Sequence, residues 1–102
     1  MINYNRIRKE CFWDFKFSDE ELKALACSEN FRERDFLFQK ILLNSQSLFN
    51  DLKIFEIDTL KELIRLYKVP PFNSKYIFKR KNMVEVYFLD MPLMIDELKW
   101  QI

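Results

Sequence analysis

The chain reads as a mainly α-helical domain, a compact bundle of four to six short helices. Three observations carry that expectation. Ser18-Asp19-Glu20-Glu21 and Asn30 with Glu33 have the spacing of helix-capping signals. Apolar residues recur at helical intervals in three separate runs. No Asn-Gly or Asp-Gly pair is available to close a β-hairpin, because the 102 residues contain no glycine.

Taken in order, Met1 to Glu10 is polar and basic and is expected to be an arm. Phe12-Trp13-Asp14-Phe15-Lys16-Phe17 alternates, and is expected to lie extended across the helices with Trp13, Phe15 and Phe17 on one side. Ser18 then caps a helix to about Cys27 with Leu22, Leu25 and Ala26 inward, its acidic first turn matching the helix dipole. Asn30 caps a second, the most buried, carrying Phe31, Phe38, Ile41 and Leu42 with Phe36 and Leu37 widening the stripe. A third spans about Ser47 to Phe55, with Leu48, Leu52 and Phe55 at i, i+4 and i+7. Asp58 caps a fourth to about Lys68 that buries Leu60, Leu63, Ile64 and Tyr67 and stops before Pro70-Pro71.

Beyond the prolines, Asn73-Ser74 opens a helix to about Lys81, while Met83 to Leu89 has strand propensity. Helix is favoured, with a short β-ribbon near residues 76–88 as the alternative. Pro92 starts a last helix, Leu93 to Trp100. The whole of 1–102 is expected to be a single helical domain: an arm with its aromatic segment (1–17), a helical core (18–69), and a basic segment with the C-terminal helix (70–102).

Composition excludes much chemistry. Without glycine there is no P-loop, dinucleotide fingerprint or nucleophile elbow. Without histidine there is no Ser-His or Cys-His pair, no imidazole metal ligand and no ordinary neutral-pH proton shuttle. Carboxylates such as Asp14, Asp19 and Glu20, or Asp51 and Asp58, are candidates by type alone; those of the 19–21 cluster fit first-turn dipole partners better. No enzyme activity, cofactor or metal is expected. Eleven Phe, four Tyr and two Trp supply a large apolar surface for a small core. Cys11 and Cys27 are expected to be reduced, buried thiols in a cytoplasmic protein, since no signal-peptide pattern opens the chain. No apolar run is long enough to span a membrane.

Two clusters are candidates for binding. Phe12, Trp13 and Phe15 form either an intramolecular clasp or an anchor for a protein partner. Lys75, Lys79, Arg80 and Lys81 lie in a stretch, Leu63 to Val84, that has no acid and interleaves cations with Tyr67, Phe72, Tyr76 and Phe78. Such a pattern fits either a solvated helix face or phosphate contacts with base stacking. The helices before and after Pro70-Pro71 admit a helix-turn-helix reading, hence a small DNA-binding transcriptional regulator as the second functional class. A net charge of +1 gives no global field toward nucleic acid.

The order Phe12-Trp13-Asp14, then Phe36-x-x-Gln39-Lys40-Ile41-Leu42, then Leu63-Ile64-Arg65-Leu66-Tyr67 resembles a family of small bacterial proteins that begin with an F-W-D motif. Members of that family often sit beside abortive-infection (AbiEii-like) nucleotidyltransferase toxins. The resemblance covers about Phe12 to Tyr67. It implies a non-catalytic antitoxin or partner component of a toxin–antitoxin system, one that binds and restrains a nucleotidyltransferase.

Overall fold

The computed structural model describes residues 2–13 and 16–92. They form six α-helices: α1 Tyr4–Cys11, α2 Asp19–Cys27, α3 Phe31–Asn44, α4 Leu48–Asp51, α5 Ile57–Leu66 and α6 Ser74–Leu89, with a 3-10 turn at Leu52–Ile54 after α4. Among the described residues there is no strand, and no helix is long and apolar enough to cross a membrane. The expected helix Leu93 to Trp100, with Trp100 itself, lies outside the described residues, as do Asp14 and Phe15.

The first correction concerns the expected arm. Residues 4–11 are helical: the Asn3 side chain accepts from the Arg6 N–H at 3.0 Å, and Arg8 and Lys9 occupy the last turn, where the dipole favours cations. Tyr4, Ile7 and Cys11 fall at i, i+3 and i+7, and Ile7 and Cys11 are fully buried. Arg8 binds Asp19 and so ties α1 to the first turn of α2.

The Ser18 capping box forms as expected, with Glu21 N–H to Ser18 Oγ at 3.1 Å and Ser18 N–H to Glu21 Oε1 at 3.0 Å. α2 buries Leu22 and Ala26. Asn30 does cap α3, accepting from the Arg32 N–H at 2.9 Å. Glu33, however, accepts from the Ser28 hydroxyl at 3.1 Å, and the Asn30 N–H donates to that same hydroxyl oxygen at 3.0 Å. The second motif is therefore a single cap braced by Ser28.

α3 is the central element and touches the other five helices or the 3-10 turn between them. It buries Leu37, Phe38, Ile41 and Leu42, while Phe31 at its start stays exposed. The third expected helix splits into α4 and the 3-10 turn, yet Leu48, Leu52 and Phe55 are all buried as their spacing requires. α5 begins after Glu56, which places Asp58 in the first turn and not at the cap. Its Leu60, Leu63 and Ile64 face the core, and Tyr67 follows them inward.

Residues 76–88 are helical throughout, so the ribbon alternative is not adopted there. Ile77 and Val84, seven apart, share one face of a helix and would fall on opposite faces of a strand; both are buried. Asn73 (φ 51°) and Asp90 (φ 55°) bracket α6 in the left-handed region. In a chain without glycine these two short polar side chains take that role, which Asn and Asp tolerate best among the rest.

Both cysteines are free thiols; Cys11 is buried, whereas Cys27 is exposed, contrary to expectation, because it lies off the Leu22–Ala26 face. Burial pushes the Cys11 thiol up to about 12, with the Asp51 and Glu10 carboxylates adding to the shift. Iodoacetamide at pH 8 is accordingly expected to alkylate Cys27 and spare Cys11 until the fold opens, read by mass spectrometry of the two peptides. The unfolded chain loses the Cys11 proton near pH 9 and the folded chain keeps it to about 12. Stability from this group is thus full below pH 9 and falls above it, by about 1.4 kcal/mol per pH unit. Chemical denaturation of Cys11→Ala should show a flatter decline between pH 9 and 10.

Candidate functional site

The expected aromatic segment divides in two. Phe12 ends α1, is 1% exposed, and packs edge-on to Phe17 (ring centroids 5.3 Å apart) and against Phe36 (5.8 Å). It is a clasp that holds the end of α1 and Phe17 against α3, which removes Phe12 from the partner-facing set. Trp13 is its opposite, 66% exposed. The Lys40 ammonium lies 5.8 Å from the Trp13 ring centroid and 5.9 Å from that of Phe36. This cation–π contact steadies a large aromatic ring on the protein surface without burying it. Phe15, the third candidate anchor, lies outside the described residues.

The basic candidates also separate. Arg80 reaches back to the C-terminal end of α3, where its Nε donates to the Leu42 carbonyl and a terminal nitrogen donates to the Ser45 carbonyl. Its guanidinium lies 5.6 Å from the Tyr76 ring centroid, and the Tyr76 hydroxyl donates to the Leu43 carbonyl at 3.2 Å. The last carbonyls of a helix have no intrahelical donors, and a cation there opposes the negative end of the dipole. Arg80 is thus a cap supplied by a different helix, which accounts for it structurally. Lys81 pairs with Glu85 at 3.7 Å. Lys75 and Lys79 remain exposed on α6. The connection between α5 and α6 runs from residue 67 to 73, longer than the three- to four-residue turn of a helix-turn-helix.

One cluster escaped the sequence reading. Asp51 is 0% exposed, and Arg6 grips both of its oxygens, at 2.9 Å to Oδ2 and 2.5 Å to Oδ1. The Ser45 hydroxyl also donates to Asp51, Arg6 continues to Glu10 at 3.1 Å, and Glu10 accepts from the Gln46 N–H at 3.0 Å. The Asp51 hydrogen bonds hold the Arg6 guanidinium above its ordinary value. The network joins α1, the α3–α4 turn and α4. A signal for it existed: residue 51 sits between Leu48 and Leu52–Phe55 on the buried stripe, where an acid needs a partner.

The buried carboxylate is saturated by its own guanidinium and hydroxyl, and the buried thiol is held protonated. Among the described residues no three His, Cys, Asp or Glu side chains gather in a way that suits a metal ion.

Neither a protein-family model nor a solved structure matches the chain. A 57-residue stretch is 40% identical to delta-selinene synthase of Cannabis sativa, a match that takes in 55% of this chain and 10% of that protein.

Proposed function

We propose that the chain is a non-catalytic regulatory protein, an antitoxin-like partner that binds and restrains a nucleotidyltransferase toxin. The observation that carries this reading is Trp13. An indole two-thirds exposed, ordered by Lys40 and set beside buried Phe12 with its partly buried neighbours Phe17 and Phe36, has the form of an interface anchor on a rigid base. The F-W-D resemblance supplies the class of partner. The exposed carboxylates of Glu20, Glu21, Glu29 and Glu33 complement a basic nucleotide- or RNA-binding cleft, so the mechanism we favour is occlusion of that cleft.

Titration calorimetry against a nucleotidyltransferase toxin of the abortive-infection (AbiEii-like) class tests the reading. Trp13→Ala is expected to weaken the complex by about 2 kcal/mol or more, roughly thirtyfold, while leaving the thermal midpoint close to that of the parent because the ring is exposed. Salt-dependent binding to duplex DNA, abolished by Lys75→Glu with Lys79→Glu, would favour the transcriptional-regulator reading instead.

A further inference from the structure

The α5–α6 connection carries a second feature, independent of the nucleotidyltransferase reading. Pro70 divides two adjoining grooves. One, about 430 Å³, is walled by Val69, Pro70, Pro71 and Phe78, with Lys75 among its lining residues. The other, about 340 Å³, lies between Leu66, Phe72 and Pro70 on one side and Asp35, Gln39 and Leu43 of α3 on the other, with Lys68 also lining it. Large apolar side chains stand open here: Phe72 is 65% exposed, Leu66 57% and Phe78 41%. A contiguous patch of this kind, held on rigid prolines, marks a surface that binds something.

Charge identifies the occupant. The segment from Leu63 to Val84 has no acid, and among the described residues neither Lys68 nor Lys75 forms an ion pair. The first groove therefore offers an apolar floor and a cation with no acid beside it, and the second sets Lys68 on an apolar floor across from Asp35, whose carboxylate accepts from the Gln39 side-chain amide at 2.6 Å. Nucleic acid fits less well. Arg80 is spent on α3 and Lys81 on Glu85, so the cations that a run of phosphates would need are not all available. The walls mix Pro70, Pro71, Val69, Leu66 and Leu43 with the rings of Phe72 and Phe78, an apolar surface suited to aliphatic and aromatic anchors.

We propose that these two grooves form a docking surface for an acidic protein segment with apolar anchors, whose side chains fill the pockets flanking Pro70 while its carboxylates meet Lys68 and Lys75. The test uses the full chain, labelled with ¹⁵N, and four probes. These are a 12-residue peptide of alternating Leu/Phe and Glu, the same peptide with Lys for Glu, the same with Ser for Leu and Phe, and a 12-nucleotide single-stranded DNA. The acidic apolar peptide is expected to shift the amide signals of residues 66–79, and the other three to leave them unmoved. Phe72→Ser with Phe78→Ser should weaken it about tenfold or more. Lys68→Glu with Lys75→Glu should weaken it to a similar degree and remove its salt dependence. All four positions are exposed, and circular dichroism of each double variant verifies that the fold is kept. The proposal is overturned if the acidic peptide fails to shift those signals at millimolar concentration, if both double variants bind it like the parent, or if the oligonucleotide binds there in its place.

Discussion

Replacing Arg6 by methionine should destabilise the protein by about 3–5 kcal/mol, a large part of the 5–15 kcal/mol that a domain of this size holds. The substitution leaves the Asp51 carboxylate fully buried with only the Ser45 hydroxyl to answer it. Asp51→Leu alone should cost less, because the Arg6 side chain is 24% exposed and retains Glu10. The Arg6→Met, Asp51→Leu double variant should recover much of the loss, since exchanging a buried ion pair for well-packed apolar groups is often close to neutral. Urea denaturation of the three variants measures this directly. A double variant as unstable as Arg6→Met would show that the arginine acts through packing of its stem and not through the charge it matches.

Phe38→Ala is the other change of that size. Phe38 is wholly buried on α3, with its ring 6.4 Å from Phe55 and 5.7 Å from Tyr67, so one truncation loosens α3 from both the 3-10 turn and α5. A loss of about 3–5 kcal/mol is expected, from lost transfer energy and the cavity left behind. It should appear as a lower urea midpoint with an unchanged slope. Phe31→Ala, on the same helix but exposed, should cost only about 0.5 kcal/mol, and the contrast separates core from surface aromatics.

That contrast also explains what the sequence made legible. The Ser18 capping box, the Asn30 cap and the i, i+3, i+4 patterns are local, and between them they located α2, α3 and α5 with the side chains they bury, as Leu60, Leu63 and Ile64 illustrate. α1 was harder to see because only Tyr4, Ile7 and Cys11 repeat within a polar stretch, and what stabilises it lies far along the chain: Arg6 meets Asp51 forty-five positions away. The same distance hid the role of Arg80, which reads as a member of a basic run and works as the cap of α3. Aromatic richness misled in both directions. Phe12 went inward while Trp13, its neighbour, stayed out, and nothing in residue type distinguishes them; only the register of the α1 terminus does. Trp13 was the part of the proposed partner surface that could be read from sequence, whereas the grooves about Pro70 required knowing that α3 and the α5–α6 connection face each other.

The proposed restraint is tested most directly by one measurement: nucleotide transfer by a nucleotidyltransferase toxin of the abortive-infection (AbiEii-like) class, assayed while the purified protein is titrated in. Restraint by occlusion predicts that transfer falls to near zero at about one equivalent, and that Trp13→Ala, folded as well as the parent, shifts the inhibition to roughly thirtyfold higher concentration. Undiminished transfer at saturating protein, or turnover catalysed by the chain alone and abolished by a single carboxylate or cysteine substitution, would contradict it.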